Sequence, residues 1–456
     1  MIRVFLATVL LAGGWAFAQG PEETASETRA ADAFDPLRIW LSRAAVEGRT
    51  AGGSMGLWNE QGRVFAHGFG YADIEHSREF AINELCHIAS MTKPITATVI
   101  VMLADRGTLS LDEPVSRWLT EFKEVRLVGG EPVAAPTLRQ LLSHTGGAPG
   151  NIERDQLFRE GVVRRGESLE ENVRALAARG LSHAPGSRFA YSGYGYVIAA
   201  RAAEAAAGVA WDTLCREVLF DPLGMRDTTY RPDEDAVRSS ARPYRRNRAG
   251  AWEAAPRINP PREGQYLNAG GGLYSTLEDL GRFYQLHLHG GEYHGTRLVS
   301  AEAIRAMYVP QPNSPRYGLG FQLAGPIVGG RASVVYHGGA TGTLGWVDFE
   351  HQTAGVVLTQ VPGSRALLAD ARVEAAKMLG YAPTPVGEDL DEEAAPRRRG
   401  QTMAEAFAEM DKDGDGRISR EEWTRDPRGF DILDANKDGY LTLEEIEAVS
   451  GRLGGS

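Results

Sequence analysis

A serine and a lysine three residues apart form the pair in this sequence with the clearest chemical potential. They belong to the run Ser90-Met91-Thr92-Lys93, which precedes a helical pattern over residues 95–105. Side chains spaced three apart share one face of a helix, so the Lys93 amine can take the proton of the Ser90 hydroxyl. The helix dipole favours negative charge at the same end. The spacing therefore predicts a nucleophilic serine that a lysine activates.

The choice of lysine at position 93 supports this prediction. The chain has 5 lysines against 44 arginines, and two of the five, Lys412 and Lys437, lie in acidic loops near the C-terminus. Arginine does not release its proton at working pH, whereas a lysine shielded from water does. A general base at position 93 would explain the presence of a lysine there in a chain that otherwise uses mostly arginine. The structural alternative is a helix-capping serine followed by a surface lysine.

Two twelve-residue segments near the C-terminus match the calcium-binding EF-hand loop. Calcium takes six to eight oxygen ligands, which this loop supplies from positions 1, 3, 5, 7, 9 and 12, with glycine at position 6. Gly416 and Gly439 stand at position 6, and position 7 offers its backbone carbonyl. The loops predict two bound Ca²⁺ ions with the ligands Asp411, Asp413, Asp415, Arg417, Ser419 and Glu422, and Asp434, Asn436, Asp438, Tyr440, Thr442 and Glu445.

The distance between the two loops limits what calcium could do here. Ile418 and Leu441 are expected to pair the two loops with each other. The few residues that separate the loops, Pro427 included, leave room only for short helices. A large opening motion is therefore not expected. Extracellular modules of this kind bind calcium with dissociation constants as weak as about 10⁻⁴ to 10⁻³ M. Stabilisation, or docking to another protein, is expected rather than signalling.

Composition and charge exclude several classes of protein. Hydrophobic residues make up 43% and charged residues 24% of the 456 residues, which is typical of globular domains. The net charge of −11 argues against nucleic acid as a partner. The acidity is concentrated in residues 401–456, with 14 Asp and Glu against 7 Lys and Arg. This concentration agrees with bound cations.

Five further motifs follow the serine and lysine, and with them the chain resembles a known family. They comprise Leu141-Leu142-Ser143-His144-Thr145-Gly146-Gly147, Tyr191-Ser192-Gly193, Asp221-Pro222-Leu223-Gly224-Met225, Ala269-Gly270-Gly271-Gly272-Leu273 and His337-Gly338-Gly339. In residues and order they resemble the class C β-lactamase-related serine hydrolases, which include esterases, D-stereospecific peptidases and β-lactamases. The resemblance spans residues 35–381. It implies an α+β, D,D-peptidase-like fold, in which an antiparallel sheet is flanked by helices and joined to a helical region.

The resemblance also implies roles for residues of the site. Tyr191 matches the tyrosine that acts as general base beside the nucleophile. The segment that begins at His337 and includes Gly339 matches the Lys-Thr-Gly strand that lines the site. The amides of Ser90 and Ala340 would then bind the oxyanion. The implied reaction is acyl transfer through a covalent Ser90 intermediate on a small ester, amide or peptide substrate, with no cofactor for the hydrolysis.

Two departures from the family pattern bear on the substrate. Gly193 stands where the lactamases have asparagine, and His337 replaces a lysine that would attract a substrate carboxylate. Both favour an esterase-like or D-peptidase-like site. The alternatives are a β-lactamase or penicillin-binding protein, or a binding protein that is acylated once, does not turn over and docks through its calcium module. Sustained turnover distinguishes an enzyme from such a binder.

The elements that would position these residues fall into two domains. Residues 1–18 resemble a signal peptide, with Arg3 before an apolar run and Ala16-Phe17-Ala18 as the cleavage site, so export to the periplasm or medium is expected. After cleavage no membrane span is expected. Linkers at 19–34 and 382–400 would bound a hydrolase domain, 35–381, and a small all-α EF-hand pair, 401–456. Residues 52–70 predict a β-hairpin that turns at residues 59–62.

Several residues have a competing interpretation. Gly52-Gly53-Ser54-Met55-Gly56 matches the nucleophile elbow of α/β-hydrolases, although its place in a predicted hairpin opposes that. His144 is assigned a structural role in its turn, because no second ligand lies at metal spacing. Cys86 and Cys215 would form one disulfide or be two buried core residues; the sequence leaves both open.

Overall fold

The computed structural model describes residues 33–150 and 153–386, and part of the C-terminal region: 407, 410–413, 415–420, 422–423, 430, 434 and 436–445. The predicted signal peptide, 1–18, lies outside the described residues. So do most of both predicted linkers and much of the EF-hand pair, including the short helices expected between its loops.

Helices occupy much of the described chain between residues 33 and 386. A 3₁₀ turn, Ala89–Met91, leads into the second helix, and a π turn, Arg216–Phe220, joins the seventh to the eighth. The helices are α1 (Asp35–Val46), α2 (Thr92–Asp105), α3 (Leu138–Leu142), α4 (Arg154–Arg159), α5 (Leu169–Arg179), α6 (Gly193–Ala207), α7 (Trp211–Cys215), α8 (Asp221–Leu223), α9 (Glu234–Ser239), α10 (Leu277–Leu288), α11 (Ala301–Ala306) and α12 (Arg365–Met378).

The strands form one large sheet and several two-stranded ribbons. They are β1 (Gly52–Asn59), β2 (Gly62–Asp73), β3 (Arg78–Glu79), β4 (Cys86–His87), β5 (Tyr244–Arg246), β6 (Trp252–Ala254), β7 (Tyr274–Ser275), β8 (Glu292–Tyr293), β9 (Thr296–Arg297), β10 (Gln322–Val328), β11 (Arg331–Gly339), β12 (Thr343–Asp348), β13 (Thr353–Thr359), β14 (Ile418–Ser419) and β15 (Tyr440–Leu441).

The large sheet is antiparallel, with the strand order β10-β11-β12-β13-β1-β2-β3. The predicted hairpin is confirmed: β1 and β2 pair from Gly52↔Gly70 to Asn59↔Gly62. Ser54 lies inside β1, buried between Leu358 and Gly68 of the neighbouring strands. A nucleophile elbow needs a sharp turn from strand to helix. The α/β-hydrolase alternative is therefore wrong.

Helices cover both faces of this sheet, as expected. Because side chains alternate along a strand, Met55 and Leu57 of β1 pack in the apolar cluster that α1 and α12 complete. Trp58 faces the opposite side and joins the main core with Leu277 of α10. A Cβ on Gly281 of α10 would strike the Trp58 ring, so glycine there lets the helix approach the sheet closely. The predicted antiparallel sheet flanked by helices is confirmed.

The helical region surrounds α2, which is buried along nearly its whole length. This burial explains why its sequence is apolar on all sides rather than amphipathic. Several helices of the described region begin at a polar residue whose side chain accepts a backbone N–H three residues on, which satisfies a donor that the helix leaves unpaired. These N-cap residues are Thr137, Ser168, Ser192, Asp233, Thr276 and Ser300.

The packed chain continues past α12 to Val386, five residues beyond the boundary predicted at 381. Arg372 of α12 is buried beside Asp348, with Nη2 and Oδ2 3.7 Å apart, and its Nη1 donates to the carbonyl of Thr384. Val386 itself joins the apolar cluster between α12 and the sheet. The segment after α12 therefore packs with the large sheet and α12 as far as Val386.

Three smaller findings complete the fold. Cys86 and Cys215 are both buried and free, so the core-residue interpretation holds in place of a disulfide. Ile418 pairs with Leu441 across β14 and β15, which confirms the predicted pairing of the calcium loops. Among the described helices, none combines the length and the apolar composition needed to cross a membrane.

Candidate active site

Ser90 lies in the 3₁₀ turn between β4 and α2, and α2 begins at Thr92, two residues later. The residue before it, Ala89, has a φ of 46°, a left-handed conformation that costs free energy for an L-residue other than glycine. This sharp turn places Ser90 at the N-terminal end of the buried helix. The predicted position of the serine before the helix is confirmed.

Lys93 reaches back to Ser90 from the first turn of α2. Its Nζ lies 3.1 Å from Ser90 Oγ and donates to the carbonyl oxygen of Gly270 at 2.7 Å. The side chain is only 1% exposed, and this burial lowers its pKa from the usual value for lysine to about 7. Near neutral pH a large fraction of the amine is therefore unprotonated and able to accept a proton from the serine.

The glycine-rich segment at residues 269–273 is fixed against α2 by hydrogen bonds with two threonines of that helix. Thr96 Oγ1 donates to the carbonyl of Ala269 at 2.7 Å, and Thr92 Oγ1 accepts from the Leu273 N–H at 3.2 Å. A Cβ on Gly270 would collide with the backbone of Gly193. The glycine therefore lets the two segments approach closely enough to hold its carbonyl on the Lys93 amine.

Tyr191 packs directly against the lysine. Lys93 Nζ lies 4.6 Å from the centroid of the Tyr191 ring, and the His144 ring lies 4.3 Å from it. The backbone N–H of Ser192 donates to His144 Nδ1 at 3.0 Å. Burial, and then the nearby lysine, hold the pKa of His144 well below its usual value. His144 is thus a neutral residue that fixes the chain beside Tyr191, a contact that the sequence did not reveal.

His337 lies on β11 but does not present a charge to the cleft. Its Nδ1 is 2.7 Å from the carbonyl oxygen of Gly338 and its Nε2 is 3.0 Å from the hydroxyl of Tyr317. Because a carbonyl only accepts, Nδ1 carries the proton and Nε2 accepts from the tyrosine. Burial, and then Lys93, lower the pKa of His337 to about 3. No sequence feature singled out Tyr317, the residue that orients this ring.

The turn after β11 is tied to the residues just before the nucleophile. Thr341 Oγ1 donates to the carbonyl of His87 at 2.6 Å, and Thr343 Oγ1 donates to that of Ile88 at 3.2 Å. A Cβ on Gly339 would strike both Thr343 and Ile88, so only glycine allows this approach. These two hydrogen bonds hold Ala340 in place, so that Ala340 and Ser90 line the same cleft.

A cleft of about 550 Å³ opens over these residues. It brings together most of the predicted catalytic set, while Lys93 lies buried behind Ser90. Arg365, at the start of α12, is the one permanently charged side chain among the described residues that line it. The lining residues are Ser90, Tyr191, Gln322, Tyr336, His337, Gly338, Gly339, Ala340, Gly342, Thr343, Leu344, Gly363, Ser364, Arg365, Leu368, Ala369 and Val386.

The first calcium loop has the donors that the ion requires. Ligand atoms of Asp411, Asp413 and Asp415 lie within 4.8 Å of one another. Oε2 of Glu422 accepts from the backbone N–H of Ser419 at 2.8 Å, and bonds from this N–H and the Ser419 hydroxyl lower the pKa of Glu422 to about 2. Carboxylates at this spacing suit a hard cation such as Ca²⁺.

The second loop repeats the arrangement. Oδ1 of Asp434 accepts from the N–H of Asp438 at 3.1 Å, as Asp411 does from Asp415. Thr442 Oγ1 donates to Oε2 of Glu445 at 2.9 Å, as Ser419 does to its glutamate at 2.8 Å. In such loops the side chain at position 9 often reaches the ion through water.

Comparison with known proteins agrees with this geometry. A family model described as Beta-lactamase matches residues 27–377, and one described as EF hand matches residues 403–425 and 428–450. Esterase EstB of Burkholderia gladioli is 30% identical over 67% of this chain and 84% of its own length. The D-alanyl-D-alanine-carboxypeptidase/endopeptidase AmpH of Escherichia coli is 28% identical over 62% of this chain and 73% of its own.

Two further comparisons mark the extent of the likeness. The chain spans 65% of the length of two Mycobacterium tuberculosis proteins, with which it shares 30% identity over 55% of its own length. The solved structure of EstCE1, a hydrolase with promiscuous acyltransferase activity, covers 77% of this chain and 99% of its own with a TM-score of 0.65. At 21% identity, that likeness concerns the fold alone. The match of the family model over most of the chain shows that it belongs to the Beta-lactamase family of serine hydrolases.

Proposed function

We propose that this chain hydrolyses a small ester through an acyl-enzyme on Ser90. The observation that carries the proposal is the 3.1 Å contact between Ser90 Oγ and the Lys93 amine, whose pKa burial lowers to about 7. A lysine in this state is basic enough to take a proton and is partly unprotonated at working pH, which is the condition for an efficient general base.

In the acylation step, Ser90 Oγ attacks the carbonyl carbon of the substrate while its proton passes to Lys93. The carbonyl oxygen becomes an oxyanion, which the amides of Ser90 and Ala340 would bind. The bond to the leaving oxygen then breaks, and a proton returns to that oxygen. We assign this return to Lys93 and Tyr191, because the tyrosine lines the cleft and its ring packs against the amine.

In the deacylation step, water replaces the alcohol. Tyr191 and Lys93 take a proton from the water as it attacks the acyl carbonyl. The bond to Ser90 Oγ breaks, the proton returns to the serine, and the acid leaves. Lys93 thus acts first as base and then as acid in each of the two steps, and the site returns to its starting state.

The electrostatics of the cleft favour an ester over a lactam. His337 is neutral, so β11 offers no cation where the lactamases carry lysine, and Gly193 offers no side-chain amide to a substrate. The similarity to esterase EstB supports this choice. The similarity to AmpH keeps a D-peptidase as the second candidate. His337 and Gly193 disfavour a β-lactamase or penicillin-binding protein, and the presence of Ser90, Lys93 and Tyr191 favours an enzyme over a single-turnover acylated binder.

We further propose that the EF-hand pair holds two Ca²⁺ ions, one in each loop. The ligands would be those named from the sequence, with Glu422 and Glu445 each supplying two oxygens. The antiparallel pair β14 and β15 joins the loops, so filling one loop stabilises the other. We propose a stabilising or docking role for the ions and none in the hydrolysis. The export proposed for residues 1–18 fits these sites, because calcium is abundant outside cells.

The nucleophile assignment predicts the effect of removing one oxygen. Ser90→Ala should lower hydrolysis of p-nitrophenyl acetate and butyrate by more than about a thousandfold, because the variant forms no acyl-enzyme. Ser54→Ala is the matched control, since Ser54 lies in the sheet away from the cleft. Steady-state release of p-nitrophenol measures both. Wild-type turnover that persists in Ser90→Ala would refute the assignment, and a burst of one equivalent without turnover would establish the binder.

The pKa of Lys93 predicts the pH dependence of the reaction. Falling pH protonates the amine through about 7 and removes the base, so kcat/KM should drop about a hundredfold between pH 8 and pH 5. Lys93→Arg, which stays protonated, should be inactive across that range. A pH profile of kcat/KM, with thermal unfolding of the variant as a control for folding, tests this. An inflection more than two units from 7 would contradict it.

The calcium proposal predicts a stoichiometry. Isothermal titration calorimetry of the full chain with Ca²⁺ should give two ions per chain, and Glu422→Gln or Glu445→Gln should reduce this to one tight site, because each removes a bidentate ligand. Glu444→Gln, an exposed neighbour at a non-ligand position, is the control and should retain two. Hydrolysis should be the same with and without chelator. A single site in the wild type would contradict the proposal.

A further inference from the structure

One wall of the cleft over Ser90 is apolar. Tyr336 of β11, Leu344 of β12, Leu368 of α12 and Val386 line it, and all four belong to the apolar cluster between α12 and the sheet. Each is largely buried, yet each contributes surface to the cleft. These four side chains therefore pack in the apolar cluster and also line the cleft.

Val386 comes from the segment that follows α12, residues 381–386. Three contacts fix this segment: the Tyr381 ring stacks on His351 at 3.8 Å, its hydroxyl lies 2.9 Å from Thr353 Oγ1, and Arg372 donates to the carbonyl of Thr384. The segment therefore crosses from α12 to the cleft along a fixed path. Nothing in the sequence motifs of the site points to it.

The charges around this wall restrict what it can contact. Among the described residues that line the cleft, none is acidic and Arg365 is the only permanent cation, while His337 is neutral and turned toward Tyr317. A cation placed against Leu344, Leu368 and Val386 would lose its hydration with no acidic partner among the described residues of the cleft. An apolar group would gain free energy from the same burial.

We propose that Val386 is a specificity-determining residue that contacts an apolar substituent of the ester substrate. The segment 381–386 is then part of the substrate site as well as the end of the hydrolase domain. This inference rests on the proposed esterase function and adds to it a substrate class, esters whose acyl or alcohol portion carries an apolar chain. Burial of each added methylene should raise kcat/KM about three- to fourfold until the wall is filled.

The test compares full-length wild type with Val386→Ala and Val386→Trp on two series of esters. One series lengthens the acyl chain from acetyl to octanoyl on p-nitrophenol, and the other lengthens the alcohol of an acetate ester from methyl to octyl. The readout is the ratio of kcat/KM for the longest ester to that for the shortest. Val373→Ala and Val373→Trp, on the exposed face of α12, are the matched controls.

Val386→Trp should lower this ratio at least about tenfold in one of the two series, because the indole fills space that the chain would occupy. Val386→Ala should shift the optimum toward longer chains, and both Val373 variants should keep the wild-type ratio. A change in either series supports the proposal and identifies which portion of the ester the wall contacts. Unchanged ratios in both, with activity still lost in Ser90→Ala, would overturn this inference alone. Activity that survives Ser90→Ala would instead overturn the esterase mechanism.

Discussion

The burial of one amine is the constraint on which the site depends. Lys93 is 1% exposed, and removing it from water lowers its pKa to about 7, which makes it a base near neutral pH. The buried amine makes two polar contacts that offset its loss of hydration, with the carbonyl of Gly270 and with the hydroxyl of Ser90. The rings of Tyr191 and Tyr196, 4.6 and 5.6 Å away, complete its surroundings. Motifs far apart in sequence meet because each supplies one side of this enclosure.

Burial and the nearby lysine also determine the protonation states of two neighbouring histidines, His144 and His337. A second cation in this desolvated space would repel the Lys93 ammonium, and the low pKa values of His144 and His337 keep both rings neutral. Each neutral ring instead accepts a hydrogen bond, from the Ser192 backbone and from the Tyr317 hydroxyl. Histidine here orients its neighbours, whereas a lysine on β11 would have offered charge to the substrate. This difference supports the proposed preference for esters over lactams.

Much of the site could be predicted from sequence because its signals are local. The spacing of Ser90 and Lys93, the hairpin and the two calcium loops each depend on residues close together in the chain. Other features depend on contacts between distant segments: the hydrogen bond of Tyr317 to His337, the packing of His144 on Tyr191, and the arrival of Val386 at the cleft. No spacing rule reports these, and the composition of residues 382–386 even favoured a linker.

Identifying the residue that becomes acylated during turnover is the most direct test of Ser90 as the nucleophile. Purified protein would be mixed with p-nitrophenyl butyrate, quenched in acid during turnover, and analysed by intact mass and peptide mapping. An acyl-enzyme on Ser90 predicts butyryl on the peptide that contains Ser90, at no more than one group per chain, since the intermediate formed there precedes hydrolysis. Butyryl on a different residue would contradict a mechanism that begins at Ser90.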